Sequence, residues 1–227
     1  MALSARLAAV LELLEPCETF ADIGTDHGHL LVAAVRSGRA RQALGIDLHP
    51  EPLEGARLSV QRAQLQARIQ LVQGDGFAPL AGRADAVAIA GLTGPTVERL
   101  CRTGPLVGVR QLLLQPVRDL HRLRAWALEG GWHLRDERVV WEGGRFFAAA
   151  AFVPGQGPDP AYEVPGWTQA ALTWVGPHCL ARRDSTARAW CEGQRIRTAR
   201  WASTGPEAAA EAAFWADGCA RWDTPGP

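Results

Sequence analysis

The chain has 227 residues, of which 47% are apolar, and its 24 basic and 24 acidic side chains cancel. That is enough for one α/β domain of about 150 residues plus an appendage; it excludes a disordered chain and one that attracts nucleic acid by bulk charge. Lysine is absent, which excludes Schiff-base and Walker-type lysine chemistry, and Cys17, Cys101, Cys179, Cys191 and Cys219 form no CxxC pair, so neither a metal site nor a disulfide framework is suggested.

The opening "MALSARLAAVLELLEPC" reads as an amphipathic helix rather than a signal peptide, and no apolar run approaches membrane-spanning length. A reduced cytoplasm is the expected location. "TFADI" is a strand leading to a helix from about His29 to Ser37. "ALGIDL" is the next strand, and "EPLEGARLSVQRAQLQ" places Leu53, Ala56, Val60 and Ala63 at helical spacing. "RIQLVQGD" alternates as a strand, with a short connection around Pro79 after it. "DAVAIAG" suits a central parallel strand buried on both faces, followed by the strand "RQLLLQP". "RDLHRLRAWALEGG" is a helix stopped by its glycines.

"WHLRDERVVWE" and "RFFAAAAFVP" flank Gly143-Gly144, a two-residue hairpin signal. The whole pattern predicts an α/β, Rossmann-like doubly wound sheet with a terminal antiparallel hairpin whose reversed strand lies at the edge. Residues 153–166 are dense in Pro and Gly and read as a linker or an extended crossing. The expected division is therefore residues 1–155 as the sheet domain and 156–227 as a small helical, coiled-coil-like domain. Its helices are expected at about Ala181–Ala202 and Pro206–Trp222. The second carries Ala208, Ala212, Trp215, Cys219 and Trp222 as a seam; Ala187, Trp190 and Trp201 keep the same step on the first.

Open α/β sheets bind ligands outside the carboxyl ends of their strands. "ADIGTDHGH" lies at the first such end. Its D-x-G-x-D-x-G spacing departs from the dinucleotide fingerprint G-x-G-x-x-G, and Asp26 would repel a pyrophosphate. A ligand with a cationic or neutral centre fits better. Asp47, about twenty residues on, is placed to grip ribose hydroxyls, and Asp75 of "QGDGF" could accept from an adenine amine. Together these resemble the S-adenosyl-L-methionine pocket of class I methyltransferases, in which a positive sulfonium suits Asp22 and Asp26.

The blocks "ADIGTDHGHL", "GIDLHPEPLEGAR", "GDGFAPL", "AIAGLTGPTVERL" and "LLLQPVRDLHRLRAWALEGGWHLRDERVV", continuing into "WVGPHCLARRDSTARAW", resemble the bacterial tRNA (adenine-N1)-methyltransferase family called TrmK over nearly the whole chain. The resemblance implies a Rossmann-like methyltransferase domain followed by a small coiled-coil domain, with S-adenosyl-L-methionine as cofactor and tRNA as partner. It implies cofactor contacts at Asp22, Gly24, Thr25, Asp26, His27 and Gly28. It implies others at Asp47 and Leu48 on the ribose side, Asp75 and Gly76 on the adenine side, and Ala90 and Gly91 in the fourth block, which with the fifth block is also implied to line the target-base pocket. Two departures stand out: Leu92-Thr93 replaces the family's Met-Gly, and Val117 replaces an Asn.

The adenine ring nitrogen already carries a lone pair, so catalysis on this reading is mainly alignment. Asp26 is the candidate to stabilise charge and take a proton, and Gln115 to contact the base edge. RNA contacts are expected at two Arg groups, Arg36, Arg39 and Arg41, and Arg182, Arg183 and Arg188, the latter on a helix that also carries Arg195, Arg197 and Arg200. A small-molecule methyltransferase, or a non-catalytic cofactor- or RNA-binding relative, are the other readings of the same residues.

Overall fold

The structure is a computed structural model that describes residues 3–80 and 82–222; Met1 and Ala2 of the expected N-terminal helix lie outside it. Its sheet comprises β1 (Cys17–Ile23), β2 (Ala40–Asp47), β3 (Ile69–Gln73), β4 (Ala86–Ala90), β5 (Gln111–Gln115), β6 (Trp132–Glu142) and β7 (Arg145–Pro154). The spatial order is β3-β2-β1-β4-β5-β7-β6. The first five strands are parallel, and β7 runs antiparallel to both of its neighbours.

The reversed strand is therefore not at the edge. β7 carries the apolar run Ala149–Phe152, buried on both faces, so it fills the interior position beside β5; β6 alternates with charged residues and takes the rim. The turn between them uses Gly143 and Gly144, both at positive φ, and pairs Glu142 with Arg145.

Helices α1 (Ala5–Leu13), α2 (His29–Arg36), α3 (Pro50–Arg62), α4 (Gly94–Thr103) and α5 (Leu120–Gly130) cover the sheet. On β5, Leu113 packs with the cluster holding α1 and α2, whereas Leu112 and Leu114 pack with α4 and α5. This is the two-residue period of a strand buried on both sides. The sequence pattern does not announce α4, because "GP" at residues 94–95 reads as a turn. A proline in the first helical turn loses no bond that the helix needs, and Val97, Leu100 and Cys101 then face the core.

Residues 155–168 form a packed crossing rather than a free linker. Asp159 is buried and accepts from the Leu134 N–H at 2.7 Å, and Tyr162 enters the sheet's core cluster. Helices α6 (Gln169–Val175), α7 (Pro177–Arg182), α8 (Ser185–Ala199) and α9 (Pro206–Trp222) complete the fold. The expected helix 181–202 is broken: Arg183 adopts φ 50°, and Asp184 starts α8 afresh by accepting from the Ala187 N–H at 2.8 Å. Trp201 falls beyond α8 and is 61% exposed, so it is not part of the seam. The seam itself joins Trp215, Cys219 and Trp222 to Ala187 and Cys191.

Candidate functional site

Asp22, Asp47 and Asp75 line one cavity of about 460 Å³ at the carboxyl ends of β1, β2 and β3. β1 exits through Gly24 and Asp26, both in the left-handed region at φ 77° and 50°. For a residue with a side chain that conformation costs roughly 1–2 kcal/mol, and such turns recur at ligand sites. Hydrogen bonds hold this one in place. Gly24 and Thr25 donate to the Ile46 carbonyl at 2.8 and 3.1 Å. The Asp47 carboxylate accepts from the Asp26 N–H at 3.3 Å and the His49 N–H at 3.1 Å, while its carbonyl accepts from Gly74 at 2.9 Å. Asp47 thus ties together the turns after three strands.

Asp22 is 4% exposed and accepts from the Thr25 hydroxyl at 3.1 Å. Burial pushes its carboxyl up to about 7; the Thr25 bond opposes the rise, and the nearby Asp47 and Asp26 add to it. A cation beside it would favour the ionised form. His29, also in the cavity wall, is held below the usual imidazole range by burial and by His27.

Thr25, Asp26 and His27 line the cavity from the first turn. Leu48 and Gly76 do so from the turns after β2 and β3, and Ala90 and Gly91 from the end of β4. Gly28 is not in that wall. It starts α2 at φ 69°, and a Cβ there would lie 3.1 Å from the Ala56 Cβ, so its role is close packing of α2 on α3. Gln115 does not line the cavity either. It is fully buried at the end of β5, its amide donates to the Pro116 carbonyl at 2.8 Å, and its side-chain oxygen has no partner.

Two cavity residues carry no signal in the sequence pattern, Arg6 of α1 and Arg99 of α4. Arg6 reaches over Gly91: a Cβ at Gly91 would lie 3.0 Å from its Nη1. Its Nε stands 3.5 Å from the Glu142 carboxylate, which also accepts the Arg6 backbone N–H at 2.8 Å. The one available hint was a single Arg in an otherwise apolar first helical turn.

Beyond the turn at 91–93 lies a second cleft of about 790 Å³, walled by the loops after β4 and β5, by β7 and by the C-terminal helices. Thr93 and Val117, where the chain departs from the family pattern, open onto it, whereas Gln115 does not. Thr93 precedes α4 in extended backbone at φ −71°, with its hydroxyl 2.8 Å from that of Thr96, so it sits there without backbone strain.

The expected basic groups are placed less favourably. Arg36, Arg39 and Arg41 lie at the end of α2 and the start of β2, at the amino ends of the strands and about 20 Å from the carboxyl ends. Arg39 bonds the Leu14 carbonyl, and Arg41 pairs with Glu18 at 2.9 Å. In the second group Arg182 pairs with Asp136 at 2.5 Å, and Arg188 with Glu192 at 3.5 Å. Among the described residues, no cluster of His, Cys, Asp and Glu could hold a metal ion, and no helix is long and apolar enough to cross a membrane.

A parallel sheet with acidic strand ends around one nucleoside-sized cavity, closed by an antiparallel hairpin, defines a protein of the methyltransferase class, and residues 3–149 match the methyltransferase domain family. The chain is 32% identical over 186 residues to the Bacillus subtilis tRNA (adenine(22)-N(1))-methyltransferase, covering 81% of this chain and 77% of that protein. The crystal structure of the B. subtilis M1A22 tRNA methyltransferase TrmK superposes with a TM-score of 0.83 at 25% identity, over 97% of both chains. Streptococcus pneumoniae Sp1610, a putative tRNA (m1A22) methyltransferase in complex with S-adenosyl-L-methionine, shares the fold with a TM-score of 0.84 at 20% identity, over 96% of this chain and all of that one. The chain belongs to the tRNA (adenine(22)-N(1))-methyltransferase family.

Proposed function

We propose that the chain transfers a methyl group from S-adenosyl-L-methionine to ring nitrogen N1 of an adenine in tRNA, adenine 22 being the position in the name of its B. subtilis relative. It acts on tRNA in the cytoplasm. The observation that carries this reading is the meeting of Asp22, Asp47 and Asp75 in one cavity within a chain of this family.

The residues present fit the cofactor. A buried carboxyl raised to about 7 awaits a positive neighbour, and Gly24 and Gly91 offer side-chain-free backbone on either side of it. The cofactor supplies an electrophilic methyl group on a positively charged sulfur. Sheet order sets which residues would hold its parts. β3 and β2 put Asp75 and Gly76, then Asp47, on one side of β1 for the adenine and ribose. β4 lies on the other side and carries Gly91, over which Arg6 is the cation for the amino-acid carboxylate.

Asp22 and Asp26 favour positive charge between these two ends. Asp26 is exposed at the cavity mouth and is assigned the proton that the adenine amine sheds once N1 carries the methyl group. Gln115 keeps an unpartnered carboxamide oxygen behind Pro116; a direct contact with the base requires that strand end to open.

The test is incubation with unmodified tRNA and methyl-labelled cofactor, with the product nucleoside identified by mass spectrometry. 1-Methyladenosine is expected. Label confined to a small metabolite, or cofactor binding with no transfer to tRNA, would overturn the proposal.

A further inference from the structure

The cleft beyond the turn at 91–93 combines three features. Its walls are aromatic: Trp190 meets Trp215 edge-on at 5.1 Å between ring centroids, and Phe146 stands on the facing strand β7. One polar group in those walls is unsatisfied, since Trp215 is 3% exposed and its indole N–H has no acceptor. The rim is cationic. Arg122 and Arg197 are engaged by Glu98 and Glu211 at 2.8 and 2.9 Å. Arg145 has no carboxylate partner among the described residues, and Arg118 stands 3.6 Å from Asp119 with its side chain 79% exposed.

Aromatic faces beside exposed guanidinium groups are the means by which an unpaired nucleotide is held: base on rings, phosphate on Arg. The cleft volume of about 790 Å³ falls in the range of roughly 300–1,000 Å³ usual for small-ligand sites. Its position is decisive. Thr93 and Val117 line it, while Leu92, one residue before Thr93 and bonded through its carbonyl to the Val117 N–H at 2.8 Å, lines the cofactor cavity. A strand of RNA whose target base enters the cofactor cavity passes its neighbour along this turn.

We propose that the cleft binds an unpaired nucleotide of the tRNA next to the target adenine, with its base against Phe146 and Trp190 and its phosphate on Arg145 and Arg118. This rests on the tRNA methyltransferase reading of the cofactor cavity. Val117, in place of an amide, presents an apolar surface to the base, so the cleft selects for an unstacked nucleotide rather than a particular base edge.

The experiment compares wild type with the double variant Arg118→Gln/Arg145→Gln and, separately, with Trp190→Leu. Each is assayed for S-adenosylhomocysteine affinity by calorimetry and for KM of tRNA across a salt series. The Arg variant is expected to raise KM about tenfold and to flatten the slope of log KM against log salt by about 0.7 for each phosphate no longer neutralised. Trp190→Leu is expected to raise KM roughly tenfold with an unchanged salt slope. Both should keep wild-type S-adenosylhomocysteine affinity, which reports an intact cofactor cavity, and wild-type circular dichroism and Tm, which report that α8 and α9 stay folded. If wild type methylates tRNA and the Arg variant keeps both KM and slope, the cleft assignment falls alone. If wild type binds S-adenosylhomocysteine but neither binds nor methylates tRNA, the reading on which it rests falls with it.

Discussion

Asp22 concentrates the physics of the site. Its folded-state pKa of about 7 stands above the ordinary 3.8, so the group gives stability that is fully present below about pH 4 and lost as pH rises through 7. Asp22→Asn removes that loss. At pH 8 the cofactor-free variant is expected to be about 1–3 kcal/mol more stable than wild type, with a Tm several degrees higher, the difference vanishing toward pH 4. Equal melting at both pH values would refute a buried, strained carboxyl. Cofactor binding should show the reverse sign. A sulfonium lowers the Asp22 pKa, so affinity for S-adenosyl-L-methionine rises as pH passes through 7 and then levels. S-Adenosylhomocysteine, with a neutral sulfur, should show a shallower rise in calorimetry at the same pH values. Arg6 is tested by ligand truncation. Arg6→Gln should weaken S-adenosylhomocysteine about ten- to a hundredfold and leave 5′-methylthioadenosine, which lacks the carboxylate, unchanged. Equal losses for both ligands would move Arg6 from recognition to packing. The acids were legible because each stands at or just past the carboxyl end of a strand, at a fixed place in chain order. Arg6 was not, because its approach to Gly91 depends on how α1 crosses the sheet, and no local pattern encodes that.

At the scale of elements, the join between sheet and C-terminal helices is a buried ion pair. Arg124 of α5 and Glu137 of β6 are both fully buried, 2.6 Å apart. Arg124 also donates to the carbonyls of Thr173 and Trp174 at the end of α6, and Glu137 accepts from the N–H groups of His178 and Cys179 in the first turn of α7. Burial alone would lower the Arg124 pKa, but Glu137 keeps it charged and above its usual value. The pair thus clamps the end of α6 and the start of α7. Removing one partner strands a buried charge. Arg124→Met is expected to cost about 3–5 kcal/mol in urea unfolding, and Arg124→Met/Glu137→Leu to recover part of it. A double variant no better than the single would place the energy in the backbone bonds instead. None of this was legible in the sequence, where Arg124 reads as one more Arg on a helix. Element type was readable wherever periodicity ran long, as in Pro206–Trp222. It failed where one residue decides: Pro95 starting α4, and Arg183 breaking the expected helix 181–202.

At the scale of the whole molecule, the change of composition near residue 155 is real but is not a change of core. Tyr162 and Leu172 belong to the same buried cluster as Leu112, Leu114 and Phe152, and the clamp at Arg124 and Glu137 uses backbone from residues 173 to 179. A chain cut at 155 would expose that cluster and leave two buried charges without their backbone partners. It is expected to be insoluble or to melt well below the full chain. A cut at the turn Arg183–Asp184 divides less: α8 and α9 beyond it pack on each other through Cys191, Trp215 and Cys219, and this smaller cluster reaches the rest of the chain through Val139, Val175 and Cys179. A chain ending at 184 keeps the sheet, the clamp and every wall of the cofactor cavity, and loses the wall of the cleft that carries Trp190 and Trp215. It should bind S-adenosylhomocysteine within a few-fold of wild type, since none of the removed residues touches that cavity, yet methylate tRNA poorly at any attainable RNA concentration. Residues 185–227 carry five Arg and five Asp or Glu, so their removal leaves the net charge at zero, and the deficit belongs to the missing wall and its Arg side chains rather than to a change in bulk attraction. Full tRNA activity in the shortened chain would show that the sheet domain alone holds the RNA.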